Sequence, residues 1–166
     1  MISETISLVK TALKNPTYGV NVYLNSGSLP TVADVYAETT DYWMTIGGTP
    51  KTYPVILITL NDNVDFIMPE VRTSIRDVNI PIAITFWNKI VDTDIGIDYS
   101  YKTLACVMQS LRQWSKNENA AARVDGNIQI LEMVSIIQTP RAVSQEQDVN
   151  LLSSLNIVFR VRDTNP

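Results

Sequence analysis

Apolar side chains at every second position limit the folds open to this 166-residue chain more than any other feature of its sequence. Residues 80–87 and 155–162 both follow this spacing. Successive side chains of a β-strand point to opposite faces, so a period of two predicts two strands with one face in the core. Pro81 has no backbone N–H, and we expect it at the start of its strand or in a strand at the sheet edge.

Apolar residues three or four positions apart predict two main helices. The first covers residues 2–13, with Ser3 as its N-cap and Asn15-Pro16 at its end. The second covers Tyr101–Trp114 and follows an acidic loop at residues 92–98. Their apolar faces carry Ile2, Ile6, Val9 and Leu13 in the first helix, and Leu104, Met108, Leu111 and Trp114 in the second.

Three more stretches are predicted as strands. Tyr18–Leu24 alternates, residues 55–60 form an apolar run expected near the sheet centre and covered on both faces, and residues 127–138 precede the last strand. The resulting order is helix, three strands, helix, two strands. This order predicts one α+β domain over residues 1–166, with a mostly antiparallel sheet and two main helices packed on one face.

Long polar stretches separate these elements. Residues 28–52 are too long for an ordinary connection, so they form either a hairpin of their own or a projecting functional loop. Residues 139–149, which include Pro140, are predicted as a hairpin arm, and residues 61–79 as a third polar arm. We expect the 28–52 insertion and the 139–149 arm to make intersubunit contacts or contacts with a binding partner.

Composition excludes several classes of chemistry. The chain has no histidine, which excludes Ser-His-Asp and Cys-His nucleophile systems and His-ligated metals. The single cysteine, Cys106, lies in an apolar helical pattern and is expected to be a small buried side chain. The net charge of −4 disfavours a basic surface for nucleic acid. We expect no catalytic residues and no cofactor.

The sequence also gives no sign of membrane targeting. Residues 1–13 lack the uninterrupted apolar stretch of a signal peptide, and no apolar run approaches the roughly 20 residues that cross a bilayer. We therefore expect no membrane partner, and a protein made and kept in a cytoplasm-like compartment.

Asp92, Asp94 and Asp98 are the one candidate for a metal site, because carboxylates from a short turn suit a hard divalent cation. The alternative is an acidic loop that stabilises the start of the following helix without a metal. The first reading leaves open a metal-dependent hydrolase, and the second is the more common arrangement.

Five residues are candidates for an interface. Tyr36, Tyr42 and Trp43 lie in the 28–52 insertion, where large amphipathic rings mark either a partner surface or a local cluster that holds the loop down. Arg160 and Arg162 share the face of the last strand opposite its apolar set. That face is either simply solvated or pairs with carboxylates of a neighbouring subunit, such as Asp92 or Asp94. A list of these candidates is Tyr36, Tyr42, Trp43, Arg160 and Arg162.

The order of the elements resembles that of the tail terminator or neck proteins of long-tailed bacteriophages. The resemblance covers most of the chain and rests on topology, on size and on the lack of catalytic residues. It runs through the N-terminal helix, the strand at 18–24, the large insertion, the strands opening at Tyr53 and Ile80, the helix Tyr101–Trp114 and the two closing strands.

This resemblance implies a structural virion protein that is not an enzyme. Such a subunit forms a homo-oligomeric ring, expected to be a homohexamer, on the last ring of the tail tube, stops tube polymerisation and joins the tail to the head connector. Its implied partners are the tail tube protein, the connector protein and, in a contractile tail, the sheath protein. It would be found in the host cytoplasm during assembly and then in the virion, and DNA would pass through the ring without specific binding. The alternative from the same surfaces is an adaptor or baseplate-type component of a contractile injection machine.

Overall fold

The computed structural model of the protein describes residues 1–61, 76–89, 93–116, 124–125, 128–145 and 148–163. These residues form four helices and six strands. The elements are α1 (Ile2–Leu13), α2 (Val20–Ser26), β1 (Asp34–Ala37), α3 (Tyr42–Thr45), β2 (Val55–Leu60), β3 (Arg76–Lys89), α4 (Thr93–Lys116), β4 (Val124–Asp125), β5 (Ile128–Gln145) and β6 (Asp148–Asp163).

The strands form one six-stranded sheet in the order β1-β2-β3-β6-β5-β4. Every neighbouring pair is antiparallel except β1 and β2, which are parallel. The predicted α+β class with a mostly antiparallel sheet is therefore confirmed. None of the described helices is both long and apolar enough to cross a membrane.

The core lies between one face of the sheet and the long helices α1 and α4. Alternate residues of β3 and β6 are fully buried there, together with residues of both helices. Trp114 of α4 packs edge-on against Phe159 of β6, with ring centroids 6.3 Å apart. The period-two and helical spacings in the sequence thus predict this core correctly, because both patterns select the side chains that leave water.

Two helix starts differ from the sequence-based prediction. The N-cap of α1 is Met1, and Ser3 lies inside the first turn. Ile2 packs against the core from the first helical position, which favours a helix that begins there. The second main helix, α4, begins at Thr93, so the predicted acidic loop is wrong from that residue onward and its later residues are helical.

The strand predicted at Tyr18–Leu24 is wrong, because this segment contains helix α2. Val20 and Leu24 are four residues apart and both buried, a spacing that fits a helix as well as the alternation fits a strand. Gly19 precedes the helix at a point where a Cβ would collide with the carbonyl oxygens of Asn15 and Leu13. This close approach of the chain favours a sharp turn into α2.

The insertion predicted at 28–52 does not all project from the domain. Residues 34–37 form β1, which pairs in parallel with β2 and so extends the main sheet. Strand β2 has neighbours on both sides but is second from the edge, and Leu57, Thr59 and Leu60 are only half-buried. Its predicted place near the centre is therefore only partly right.

Pro81 lies neither at a strand start nor in an edge strand, since β3 begins at Arg76 and lies between β2 and β6. The Asn61 N–H donates to the Pro81 carbonyl at 3.0 Å, so the Pro81 backbone faces β2 just beyond its last residue, Leu60. The missing donor thus falls where a ladder ends and costs little pairing.

The other predicted arms lie partly in the sheet. Residues 139–145 and 148–149 continue the β5–β6 hairpin, and the pairing of β6 with β3 reaches as far as Lys89 and Asn150. Only the end of this hairpin therefore extends past β3. Of the arm predicted at 61–79, residues 76–79 belong to β3, and residues 62–75 lie outside the described part of the chain.

Candidate functional site

Strand β1 forms one edge of the sheet, and carboxylates accept hydrogen bonds from its backbone N–H groups. The Val35 N–H donates to Oδ1 of Asp34 at 2.7 Å, and the Ala37 N–H donates to Oδ2 of Asp41 at 2.8 Å. The Ala37 carbonyl in turn accepts from the Asp41 N–H at 2.8 Å. Both the N–H and the carbonyl of Ala37 are therefore hydrogen-bonded within the chain.

Helix α1 holds both aspartates in place with two lysines one turn apart. Lys10 Nζ is 2.9 Å from Asp41 Oδ2, and Lys14 Nζ is 2.8 Å from Asp34 Oδ1. Nearby, the Leu60 N–H of β2 donates to Oε1 of Glu38 at 2.8 Å, where β1 has ended. We call the arrangement of Lys10, Lys14, Asp34 and Asp41 the β1 latch.

The hydrogen bonds of the latch lower the pKa of both aspartates. Burial alone raises the pKa of Asp41, but the Ala37 N–H, Lys10 and Thr40 outweigh it, and the net shift is downward. At Asp34, burial is likewise outweighed by Lys14 and the Val35 N–H. Both carboxylates thus stay ionised in mildly acidic solution and remain acceptors.

Open grooves run beside the β1 latch. One, of about 290 Å³, is lined by residues of α1, α2 and β1, including Lys14, Asp34 and Val35. The other, of about 440 Å³, is lined by Lys10, Lys14 and Thr40 among others. The edge of β1 is therefore reachable from solvent. Its N–H donors are occupied by the carboxylates of Asp34 and Asp41.

The opposite end of the sheet is different. Strand β4 pairs only with Ile128 and Gln129, so within the described residues no strand lies on the outer side of β5, away from β6, from Ile130 to Gln145. The register is irregular between Ile130 and Glu132 and again between Met133 and Ser135. Such bulges twist an edge and hinder the addition of another strand.

The pairing of β2, β3 and β6 determines which backbone N–H and C=O groups of β5 point toward β6 and which point away from it. Because the Pro81 backbone faces β2, that of Ile82 faces β6, and its partner Ile157 faces β3. Asn156 then faces β5, where its partner is Ile137. We infer that Ile137 points its backbone groups at β6.

Alternate residues of β5 therefore point their backbone groups outward. In the regular stretch after the bulges, these residues are Ile136, Gln138, Pro140, Ala142 and Ser144. Pro140 supplies no donor, so the outward edge has carbonyls throughout but a gap in its row of N–H groups. We call this row the β5 edge.

The sheet face opposite the core, which we call the second face, has uncharged side chains in its middle, among them the apolar Leu57 and Val158. Ala83, Thr85, Ser154 and Asn156 are half-buried there, and the hydroxyls of Thr85 and Ser154 are 2.9 Å apart. At one end Trp87 packs edge-on against Tyr53, whose ring also lies 5.1 Å from Lys89 Nζ.

At the other end of the second face lie the two predicted arginines. Arg160 contacts Asp77 at 3.0 Å and Glu132 at 3.2 Å, and Arg162 contacts Asp77 at 2.9 Å. The Arg162 hydrogen bond is the largest cause that lowers the pKa of Asp77. The carboxylates that meet these arginines therefore come from the same chain, on β3 and β5.

The three predicted aromatic residues are only partly brought together. Tyr36 of β1 and Trp43 of α3 form an edge-to-face pair with ring centroids 5.0 Å apart, and both are half-buried. This contact holds α3 against β1. Tyr42 begins α3, and its side chain lies outside the described part.

A neighbouring side chain escaped the sequence-based prediction. Ile46, directly after α3, is 64% exposed. No periodic pattern marks it, because it follows a helix of only four residues. It is the most exposed large apolar side chain among the described residues.

The candidate metal ligands do not form a site within the described part of the chain. Asp98 lies in α4 and pairs with Lys102 one turn later, at 2.6 Å. Asp94 is also helical, although its side chain is outside the described set, as is all of Asp92. Among the residues that the structure describes, no three potential ligands cluster.

Cys106, expected to be a small buried side chain, is half-buried in α4 and packs at the border of the core. Burial raises the pKa of its thiol, so the reactive thiolate is disfavoured. Tyr99, on the same helix, donates to the Pro30 carbonyl at 2.7 Å, and burial raises its pKa as well.

Comparison of the sequence with models of known protein families and with curated proteins finds no match.

Proposed function

We propose that the protein is a non-catalytic structural subunit of a long-tailed phage virion, a tail terminator or neck protein. In this proposal, copies form a ring, expected to be hexameric, on the end of the tail tube. The ring stops tube polymerisation and joins the tail to the head connector, and in a contractile tail it also contacts the sheath. The subunit waits in the host cytoplasm until assembly and then stays in the virion.

The observation that carries this proposal is the difference between the two faces of the sheet. One face holds the core beneath the helices, whereas the middle of the second face is built from uncharged side chains, with Ala83, Thr85 and Asn156 beside the apolar Leu57. A sheet of this kind suits the wall of a channel, with its helices outside and its second face toward the lumen.

The charges on the second face also fit a channel that DNA must cross. Phosphates are held mainly by clustered lysines and arginines. Here Arg160 and Arg162 are already engaged by Asp77 and Glu132, and the subunit as a whole has a net charge of −4. A ring of such subunits would repel DNA at low salt rather than retain it.

Co-expression with a tail tube protein from the same genome, as the proposal requires, tests the function. We expect negative-stain images of tubes of limited length that end in a ring with a central hole. Tubes produced without the protein should grow to unrestricted lengths. Tubes of equal length with and without the protein, and no ring at their ends, would refute the function.

A further inference from the structure

We propose that the β1 latch keeps free subunits apart, by blocking the addition of a second copy's β5 edge to β1. The proposal rests on the ring function above, and it concerns the subunit before it reaches the tube. Asp34 and Asp41 occupy the two outward N–H groups of β1, and Lys10 and Lys14 hold the aspartates in that position.

The second copy is the expected occupant because β1 and the β5 edge lie at opposite ends of one sheet. In a ring, each subunit presents one end to the next, so the contact is head-to-tail. Strand β1 runs parallel to β2 and therefore opposite to β5. Neighbouring subunits would thus place β1 antiparallel to β5, which is the arrangement found in most of this sheet.

Backbone groups on both strands suit such a ladder once the latch opens. The outward residues of the β5 edge present carbonyls at Ile136 and Gln138, and β1 would present the N–H groups of Val35 and Ala37. In the closed latch these two donors are already satisfied by charged acceptors, so a neighbouring carbonyl gains nothing by approaching them. The grooves beside β1 leave space for the approach itself.

Opening the latch by mutation tests this directly. In the double variant Asp34→Ala/Asp41→Ala, the donors of β1 lose their carboxylates. We expect sedimentation to give the 18.6 kDa monomer for the wild type and a mass at least twofold larger, rising with concentration, for the variant. Adding Gln138→Pro, which removes an outward N–H from the β5 edge, should return the mass to that of the monomer.

A second variant guards against a simple loss of folding. Lys10→Met/Lys14→Met keeps the aspartates but removes what holds them, and it should also associate. The control Glu4→Ala/Asp98→Ala removes two carboxylates elsewhere and should stay monomeric. Circular dichroism checks that each variant is folded.

Several outcomes would overturn the latch. These are folded latch variants that stay monomeric, an association that persists with Gln138→Pro, loss of folding in both double variants, or a wild type that forms rings on its own. The last result would leave the ring function standing. Failure of the ring function would appear separately, as tubes that the wild-type protein does not terminate.

Discussion

Ser28 closes α2 with a left-handed backbone, at a φ of 55°. The Ser28 N–H donates to the Asn25 carbonyl at 3.1 Å, and the Leu29 N–H donates to the Leu24 carbonyl at 2.9 Å. These two bonds form a Schellman motif, in which glycine is the usual residue at the left-handed position because it has no Cβ. Serine is therefore strained here.

Replacing Ser28 with glycine should stabilise the protein. Relief of the left-handed strain gives about 1 kcal/mol in the free energy of unfolding, measured by urea denaturation. The control Ser26→Gly places glycine inside α2 and should cost about 0.5–1 kcal/mol. A lower stability for Ser28→Gly than for the wild type would contradict the motif.

Asp77 is the residue that engages both Arg160 and Arg162. We expect the wild-type protein to leave duplex DNA unretarded on a gel at moderate salt. Asp77→Asn should cause weak retardation at low salt that disappears as salt is added, because Arg162 loses its carboxylate partner and Arg160 keeps only Glu132. Asp98→Asn changes the charge equally on α4 and should cause none. Tight binding by the wild type would refute a channel that DNA crosses freely.

At the scale of elements, the sequence correctly predicts the helices and strands in which the spacing of apolar residues repeats many times. Helices α1 and α4 and the strands β3 and β6 each repeat their spacing over many residues, so the buried set is unambiguous. In α2, by contrast, seven residues fit either period, and only the close approach at Gly19 and packing against α4 decide between them.

The β1 latch could not be predicted from the sequence, for a related reason. It joins residues from α1, β1 and the turn before α3, and nothing in the spacing of Lys10, Lys14, Asp34 and Asp41 indicates that they meet. The role of the two aspartates depends on which edge of β1 is left without a neighbouring strand. That is decided by the parallel pairing of β1 with β2, which a four-residue strand does not reveal.

A proline scan of β5 tests the inferred direction of its backbone. Gln138→Pro places the missing N–H on the β5 edge and should cost less than about 1 kcal/mol. Ile137→Pro removes a bond to β6 and should cost about 3 kcal/mol or more. Urea unfolding of the two variants measures the difference. Equal losses, or a larger loss at Gln138, would reverse the assignment.

At the scale of the whole molecule, stability should hardly depend on pH between about 5.5 and 8, because histidine is absent. The pKa values of Asp34, Asp41 and Asp77 are lowered in the folded state. Their contribution is therefore complete above the unfolded pKa of about 3.9 and is lost as the pH falls through the folded values.

At alkaline pH, stability should change in the opposite direction and fall as the pH rises. The raised pKa of Cys106 and Tyr99 makes these groups ionise more readily in the unfolded chain, so stability should fall from about pH 8.5 upward. The urea midpoint measured against pH checks both limbs. A transition near pH 6.5, or greater stability in acid, would contradict this assignment. Asp77→Asn should reduce the acid limb and leave the alkaline limb unchanged.

Three of the edge-to-face aromatic pairs contain a tryptophan and give the protein a set of intrinsic fluorescent reporters. Trp43 packs edge-to-face with Tyr36 at the β1 edge, Trp87 with Tyr53 on the second face, and Trp114 with Phe159 in the core. Variants that retain one tryptophan at a time would therefore emit from three separate places. Binding at an edge, occupation of the second face and global unfolding could each be followed by its own spectral change, without an attached dye.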